Sequence, residues 1–138
     1  MPSAVFLVIA IIAVGLLALI AIVLKGNSRH SFDKEEYQTR WLKIENGLQK
    51  SDPNSYAIAV MNGDKLLDKA MIEMGVGGKT MGERLKRVDG RLSDINKVWY
   101  AHKIRNQIAH EPDFLLEYTT ANRALASFKQ ALKDLGAI

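Results

Sequence analysis

The sequence predicts an all-α protein: a four-helix bundle with an additional short helix, preceded by one transmembrane helix. Three observations lead to this fold class. Residues 4–24 carry no charged side chain, so all 19 Lys and Arg and all 15 Asp and Glu come after them. Apolar residues recur at spacings of three and four in the later segments, and no segment alternates convincingly as a strand would. Glycine, proline and capping residues separate these segments.

The first element is a membrane anchor over residues 1–25. A helix over residues 4–24 is about 30 Å long, which matches the hydrocarbon core of a bilayer, and it satisfies its own backbone groups there. A cleaved signal peptide is the main alternative, but it needs a basic amino-terminal region, a shorter apolar stretch and a small-residue cleavage site. Lys25, Arg29 and Lys34 follow the run. This basic flank predicts a single-pass protein whose C-terminal part is cytoplasmic.

Residues 26–31 are predicted to be a polar linker and residues 32–138 a helical domain. The net charge of +4 belongs wholly to the part that follows the apolar run. This charge is spread over more than a hundred residues, which is typical of an ordinary solvated surface and not of a concentrated basic patch that binds DNA. The absence of cysteine excludes disulfides, thiolate metal sites and cysteine nucleophiles.

The first helix of the domain is predicted over residues 32–49, with Ser31 as its N-cap. Its apolar residues fall on one stripe because their spacings are four, three and four. These residues are Tyr37, Trp41, Ile44 and Leu48.

A second helix begins after Pro53 and runs to about Met74, where a glycine-rich segment ends it. Thr80 and Glu83 fit the capping-box pattern, which predicts a short helix over residues 81–88.

A third long helix is predicted over residues 92–110, since Pro112 disfavours helical geometry at the residue before it. A fourth helix begins at Thr119 or Thr120 and ends at Gly136.

The third long helix carries charged residues where apolar ones are expected. Arg105 lies in the middle of an apolar arc that covers well over half of the helix circumference. His102, Asn106 and His110 follow one another at four-residue spacing along the edge of that arc. Burying such groups without partners costs several kcal/mol, as an order of magnitude. They must therefore be paired or face a cleft.

Residues 105–110, Arg-Asn-Gln-Ile-Ala-His, resemble the Arg-polar-x-x-x-His signature of the HEPN superfamily. These are small helical-bundle domains that include many metal-independent endoribonucleases. The resemblance covers roughly residues 32–138, and the motif lies late in a long helix with one further helix to follow, as in the family. It implies RNA or a nucleotide as partner and a homodimer in which two motifs line one cleft.

The resemblance implies that Arg105, Asn106 and His110 are catalytic, while His102 and Lys103 are the candidate substrate-binding residues. RNA cleavage through its own 2′-hydroxyl needs a proton acceptor, a proton donor and a cation for the phosphate charge. Histidine and arginine supply these without a metal or other cofactor, so none is expected. Arg105 and His110 point about 140° apart on a regular helix. A joint site therefore requires the length of Arg105, a loosened helix end or a second protomer.

The alternative is a non-catalytic, membrane-tethered module that binds a nucleotide or a protein. In that case Arg105 pairs with a carboxylate such as Glu73 or Glu117, and His110 stabilises the C-terminus of its helix through the helix dipole. Under this alternative neither Arg105 nor His110 has to be exposed.

Two further patterns are set aside. Gly78-Lys79-Thr80 resembles the end of a phosphate-binding P-loop, but the position of its first glycine is Glu73 and no strand precedes it. A glycine-rich helix stop followed by a threonine cap accounts for the same residues. The three histidines form no His-x-x-x-His or Glu-x-x-His pair, so no transition-metal site is predicted.

Overall fold

A computed structural model describes residues 2–26 and 30–138. These residues are all-helical, without a strand, which confirms the predicted all-α class. Residues 27–29 of the predicted linker lie outside the described residues. The helices are α1 (Pro2–Gly26), α2 (Lys34–Gly47), α3 (Asn54–Glu73), α4 (Met81–Val88), a 3₁₀ turn (Asp89–Arg91), α5 (Ile95–His110) and α6 (Tyr118–Asp134).

The chain divides into two compact units, residues 1–31 and residues 32–138. In the first unit, α1 is the one helix among the described residues that is long and apolar enough to cross a membrane. The side chains of Ser3–Ile22 are exposed along its whole circumference. Its length and composition suit a membrane-spanning helix and also a signal sequence.

The start of α2 differs from the prediction. Asp33, rather than Ser31, is the N-cap, and its carboxylate accepts a hydrogen bond from the backbone N–H of Glu36 at 3.0 Å. A carboxylate at this position also interacts favourably with the helix dipole. The expectation of Ser31 as the cap was therefore wrong by two residues.

The start of α5 also differs. Asp94 caps it by accepting a hydrogen bond from the backbone N–H of Lys97 at 3.2 Å, and the helix begins at Ile95 instead of residue 92. Residues 92–94 lie outside the helix, between the 3₁₀ turn and α5.

Two glycines end α3 and α6 in the same way. Gly75 and Gly136 adopt positive φ values of 75° and 78°. After each of them the next backbone N–H bonds back into the last turn, from Val76 to Met71 and from Ala137 to Leu132. This is the Schellman arrangement, which glycine permits without a Cβ clash. The glycine helix stops predicted from the sequence are confirmed.

Helix α3 lies at the centre of the second unit, where it contacts α2, α4, α5 and α6, and α5 also contacts α6. The approach of α3 to α6 depends on Gly63, because a Cβ there would lie 2.9 Å from Phe128 Cδ2 and 3.0 Å from Leu125 Cδ2. The largest fully buried side chains of the core are Tyr37, Phe128, Leu67, Met71, Leu85, Leu132, Val60 and Val88.

Candidate functional site

An open cavity of about 1030 Å³ is lined by residues of α3, α5, α4 and the segment before α4. Its wall is rich in charge. The cationic lining residues are Lys65, Lys79, Arg84, Lys86 and Arg105, and the carboxylates are Asp64, Asp68 and Glu83. His102, Asn106 and Trp99 complete the part of the wall that α5 provides.

A carboxylate of α3 holds a histidine of α5 at this cavity. Asp64 Oδ1 lies 2.8 Å from His102 Nδ1, and the two residues are only 4% and 9% exposed. Asp64 reaches this position because it is on the buried face of α3, four residues after Val60 and three before Leu67. A buried carboxylate that bonds one ring nitrogen fixes the orientation of the imidazole and leaves the other nitrogen for a further partner.

The same carboxylate contacts Arg105. Nε of Arg105 lies 3.4 Å from Asp64 Oδ2, and Nη1 donates a hydrogen bond to Asn106 Oδ1 at 3.0 Å. The Arg105 side chain is one-third exposed, whereas that of Asp64 is 6% exposed. Asp64 thus places an imidazole and a guanidinium side by side, and the guanidinium stays accessible from solvent.

An ion pair between buried Arg84 and partly exposed Asp68 forms another part of the cavity wall. Arg84 forms two bonds to Asp68, with Nε 2.6 Å from Oδ1 and Nη2 2.9 Å from Oδ2, and its Nη1 donates to the Gly78 carbonyl. The hydrogen bonds to Asp68 raise the pKa of Arg84 above its ordinary value, although burial opposes them. This clamp ties the start of α4 to α3 and so determines where residues 78–80 lie.

The segment set aside as an incomplete P-loop forms part of the cavity wall. Lys79 and Thr80 line the cavity. Thr80 is the N-cap of α4 as predicted, accepting from the backbone N–H of Glu83 at 3.2 Å, while the Glu83 carboxylate accepts from the backbone N–H of Lys79 at 2.7 Å. Gly78 has a φ of 144°, and a Cβ there would lie 3.0–3.2 Å from Glu83 and Arg84.

The structure brings three of the five predicted site residues together. Arg105, Asn106 and His102 line the cavity, whereas Lys103 and His110 do not. His110 is exposed in the last turn of α5. The two ends of the Arg-x-x-x-x-His pattern are therefore separated within one chain, as the 140° angle between their directions on a helix leads one to expect.

Arg105 pairs with Asp64, and not with Glu73 or Glu117, the two carboxylates named as its possible partners under the non-catalytic alternative. Glu73 pairs with Lys69 at 3.1 Å, and Glu117 is an exposed residue at the start of α6. Sequence reasoning missed Asp64, although a signal was present. Asp64 interrupts the apolar face of α3 just as Arg105 interrupts that of α5.

Trp99 is half-buried and lines the cavity. Its ring makes an edge-on contact with His102, with 6.0 Å between centroids. Trp41 is 3% exposed and belongs to the core as expected. Within residues 2–26 and 30–138, no three or more His, Asp or Glu side chains are grouped so that they could hold a metal ion.

Comparisons of the chain with protein-family models, with curated proteins and with solved structures find no match.

Proposed function

We propose that residues 32–138 form a HEPN-like four-helix bundle that binds an RNA phosphate at Arg105 and cleaves RNA through its 2′-hydroxyl without a metal. One observation carries the proposal. Arg105 and His102 share the carboxylate of Asp64 at the wall of an open cavity, and the guanidinium is one-third exposed. A cation for phosphate and an imidazole for proton transfer are the two groups that this reaction needs.

The balance of charge in the cavity favours an anionic ligand. The Asp68 carboxylate is paired with Arg84, and the Glu83 carboxylate accepts a backbone hydrogen bond. With the Arg84–Asp68 pair set aside, the lining residues include two carboxylates, Asp64 and Glu83, and four cations. The cations are Lys65, Lys79, Lys86 and Arg105. A cavity with more lysine and arginine than carboxylate side chains attracts a polyanion, and the affinity should fall as salt is added.

The proposal includes a membrane anchor and a second copy. A helix that is apolar and exposed all round needs a lipid or protein covering, and α1 has the length of a bilayer span. The basic residues after it support a cytoplasmic location for the domain within this proposal, and RNA is present there. The homodimer implied by the HEPN resemblance brings a second Arg105 and a second His110 to the assembly.

The second candidate is a domain that binds a nucleotide or a protein without cleaving anything. It is favoured by His110, the motif histidine, which does not line the cavity that holds Arg105. In this version Arg105 and the lysines bind phosphate, and no bond of the ligand is cleaved.

The experiment uses the full chain in detergent micelles with EDTA and a labelled RNA. We expect cleavage that Arg105→Ala lowers at least about 100-fold, in the range found when one transition-state donor is removed. Arg91→Ala is the matched control, since this exposed arginine of the 3₁₀ turn does not line the cavity. Equal cleavage by both variants contradicts the proposal. Binding that requires Arg105, without cleavage by the unaltered chain, selects the second candidate.

A further inference from the structure

We infer that Asp64 and His102 form the proton-transfer pair of this site, with His102 as the catalytic base and Asp64 as its positioning residue. The inference rests on the proposed function and names the group that performs its chemistry. It differs from what the HEPN resemblance implies, because there the histidine at the end of the motif, His110, is the catalytic one.

The orientation of the His102 ring follows from its contact with Asp64. Nδ1 lies 2.8 Å from Oδ1 of a carboxylate that is 4% exposed, so a neutral ring carries its proton on Nδ1 and donates it to Asp64. Nε2 is then unprotonated and can accept a proton. His102 is a lining residue of the cavity, so a substrate in the cavity meets a ring already held in one tautomer.

Asp64 has a second role through its other oxygen. Oδ2 lies 3.4 Å from Nε of Arg105, which is three residues after His102 and therefore on a neighbouring part of the same helix. One buried carboxylate thus orients both the base and the phosphate-binding cation. All three residues stand on the packed helices α3 and α5 rather than on loops, which holds their relative positions within narrow limits.

His110 does not offer the same arrangement within one chain. It is exposed in the last turn of α5 and does not line the cavity. His102 is the histidine that shares both a cavity and a carboxylate with Arg105.

The step balances without a metal or an oxidant. The 2′-hydroxyl oxygen of RNA attacks phosphorus while its proton passes to Nε2 of His102. The bond between phosphorus and O5′ breaks, and O5′ takes a proton from water. The imidazolium of His102 then gives its proton to the hydroxide formed from that water. The products are a 2′,3′-cyclic phosphate and a 5′-hydroxyl, and Arg105 offsets the negative charge on the phosphate during the step.

The first test needs no substitution at Asp64, His102 or Arg105. The chain has three histidines, so ¹⁵N spectra of the full chain in micelles can be assigned with His30→Gln and His110→Gln. We expect neutral His102 to carry its proton on Nδ1. We also expect that 2′-O-methyl RNA, which lacks the attacking hydroxyl, shifts the Nε2 resonance of His102. A proton on Nε2, or an Nε2 resonance that does not move, overturns the inference.

The second test separates positioning from structure by kinetics. We expect His102→Gln and Asp64→Asn each to lower kcat at least about 100-fold. KM should change less than about threefold in His102→Gln, because Asp64 still orients Arg105 there, and should rise in Asp64→Asn, where Arg105 loses its carboxylate partner. Asp113→Asn, in the exposed turn after α5, is the matched control and keeps the full rate. Far-UV circular dichroism checks that each variant is folded.

The outcomes distinguish the inference from the proposed function. Cleavage that survives His102→Gln but is abolished by His110→Gln overturns the inference and leaves the ribonuclease proposal in place. If the unaltered chain does not cleave RNA, yet 2′-O-methyl RNA shifts the His102 resonance, the cavity binds RNA and both the ribonuclease proposal and the catalytic pair fail.

Discussion

The guanidinium of Arg105 and the carboxylate of Asp64 face each other across α5 and α3, with Nε 3.4 Å from Oδ2. The two partners are not equivalent. The Asp64 side chain is 6% exposed and also bonds buried His102, while Arg105 is one-third exposed. Asp64 is therefore part of the interior, and Arg105 is accessible to a ligand.

This difference in burial predicts that substitutions of Arg105 and Asp64 lower the free energy of unfolding by unequal amounts. Arg105→Met should lower the free energy of unfolding by less than about 1 kcal/mol, because partly exposed ion pairs are screened by solvent. Asp64→Ala should cost about 2–3 kcal/mol, because it leaves the buried His102 ring without its partner. Denaturant titrations followed by tryptophan fluorescence measure both, since Trp41 and Trp99 lie in the helical domain. Equal costs for the two substitutions would show that Arg105 is structural.

The need for a partner of Arg105 was predictable from the sequence, but its identity was not. A charged residue inside an apolar arc must be paired or face a cleft. Which carboxylate meets it depends on the rotation and axial shift of one helix against another, and periodicity along a single helix fixes neither. Asp64 breaks the face of α3 between Val60 and Leu67, so the same rule marks it as a candidate without showing which helix it faces.

Arg84 is predicted to be more sensitive to a conservative change than Arg105 is. Its side chain is 9% exposed and forms two parallel bonds to Asp68 and one to Gly78. Arg84→Lys keeps the charge but loses the planar fork, and we expect it to lower the free energy of unfolding by about 2 kcal/mol. Lys86→Arg is the control, because Lys86 is exposed on the same helix. If Arg84→Lys is as stable as this control, the bidentate geometry does not stabilise the domain.

Helix ends were more predictable from the sequence than helix starts were. Gly75 and Gly136 mark the ends because a positive φ strongly favours glycine. The starts admit several residues, since Ser31 and Asp33 are both good caps and only the path of the chain selects Asp33. The cavity wall formed by Lys79 and Thr80 was missed because it depends on the buried Arg84 clamp, which joins residues of two helices.

The close approach of α3 to α6 at Gly63 predicts that adding one methyl group is harmful. Gly63→Ala places a Cβ 2.9 Å from Phe128 and 3.0 Å from Leu125. Alanine gains about 1 kcal/mol in helix propensity, but overpacking costs about 1–3 kcal/mol. We expect a net loss of about 1 kcal/mol in the free energy of unfolding. Gly47→Ala is the control, because nothing lies within 4 Å of a Cβ at that position. A stabilised Gly63→Ala variant would mean that the two helices separate easily.

Three carboxyl groups have lowered pKa values in the folded domain, which predicts that the domain loses stability in acid. Hydrogen bonds from the backbone and side chain of Lys97 lower the pKa of Asp94, the N-cap of α5. Burial acts to raise the pKa of Asp134. The backbone N–H of Ser93 donates a hydrogen bond to its carboxylate at 2.8 Å and the Ser93 hydroxyl donates another at 2.7 Å, and these bonds lower the pKa below its ordinary value. Burial likewise opposes the hydrogen bond from Lys129 that lowers the pKa of Glu45.

A carboxyl group whose pKa is lower in the folded chain binds more protons when the chain is unfolded. Its stabilisation is therefore complete above the unfolded pKa, near pH 4, and is lost as the pH falls through the folded value. We expect the denaturation midpoint to be constant from about pH 5 to 7 and to fall below about pH 4. Asp134→Asn should lower it near neutrality but bring it close to that of the unaltered chain near pH 3, while Asp113→Asn, in an exposed turn, should follow the unaltered chain throughout. Curves for Asp134→Asn and the unaltered chain that stay parallel down to pH 3 would show that Asp134 does not contribute to the loss of stability in acid.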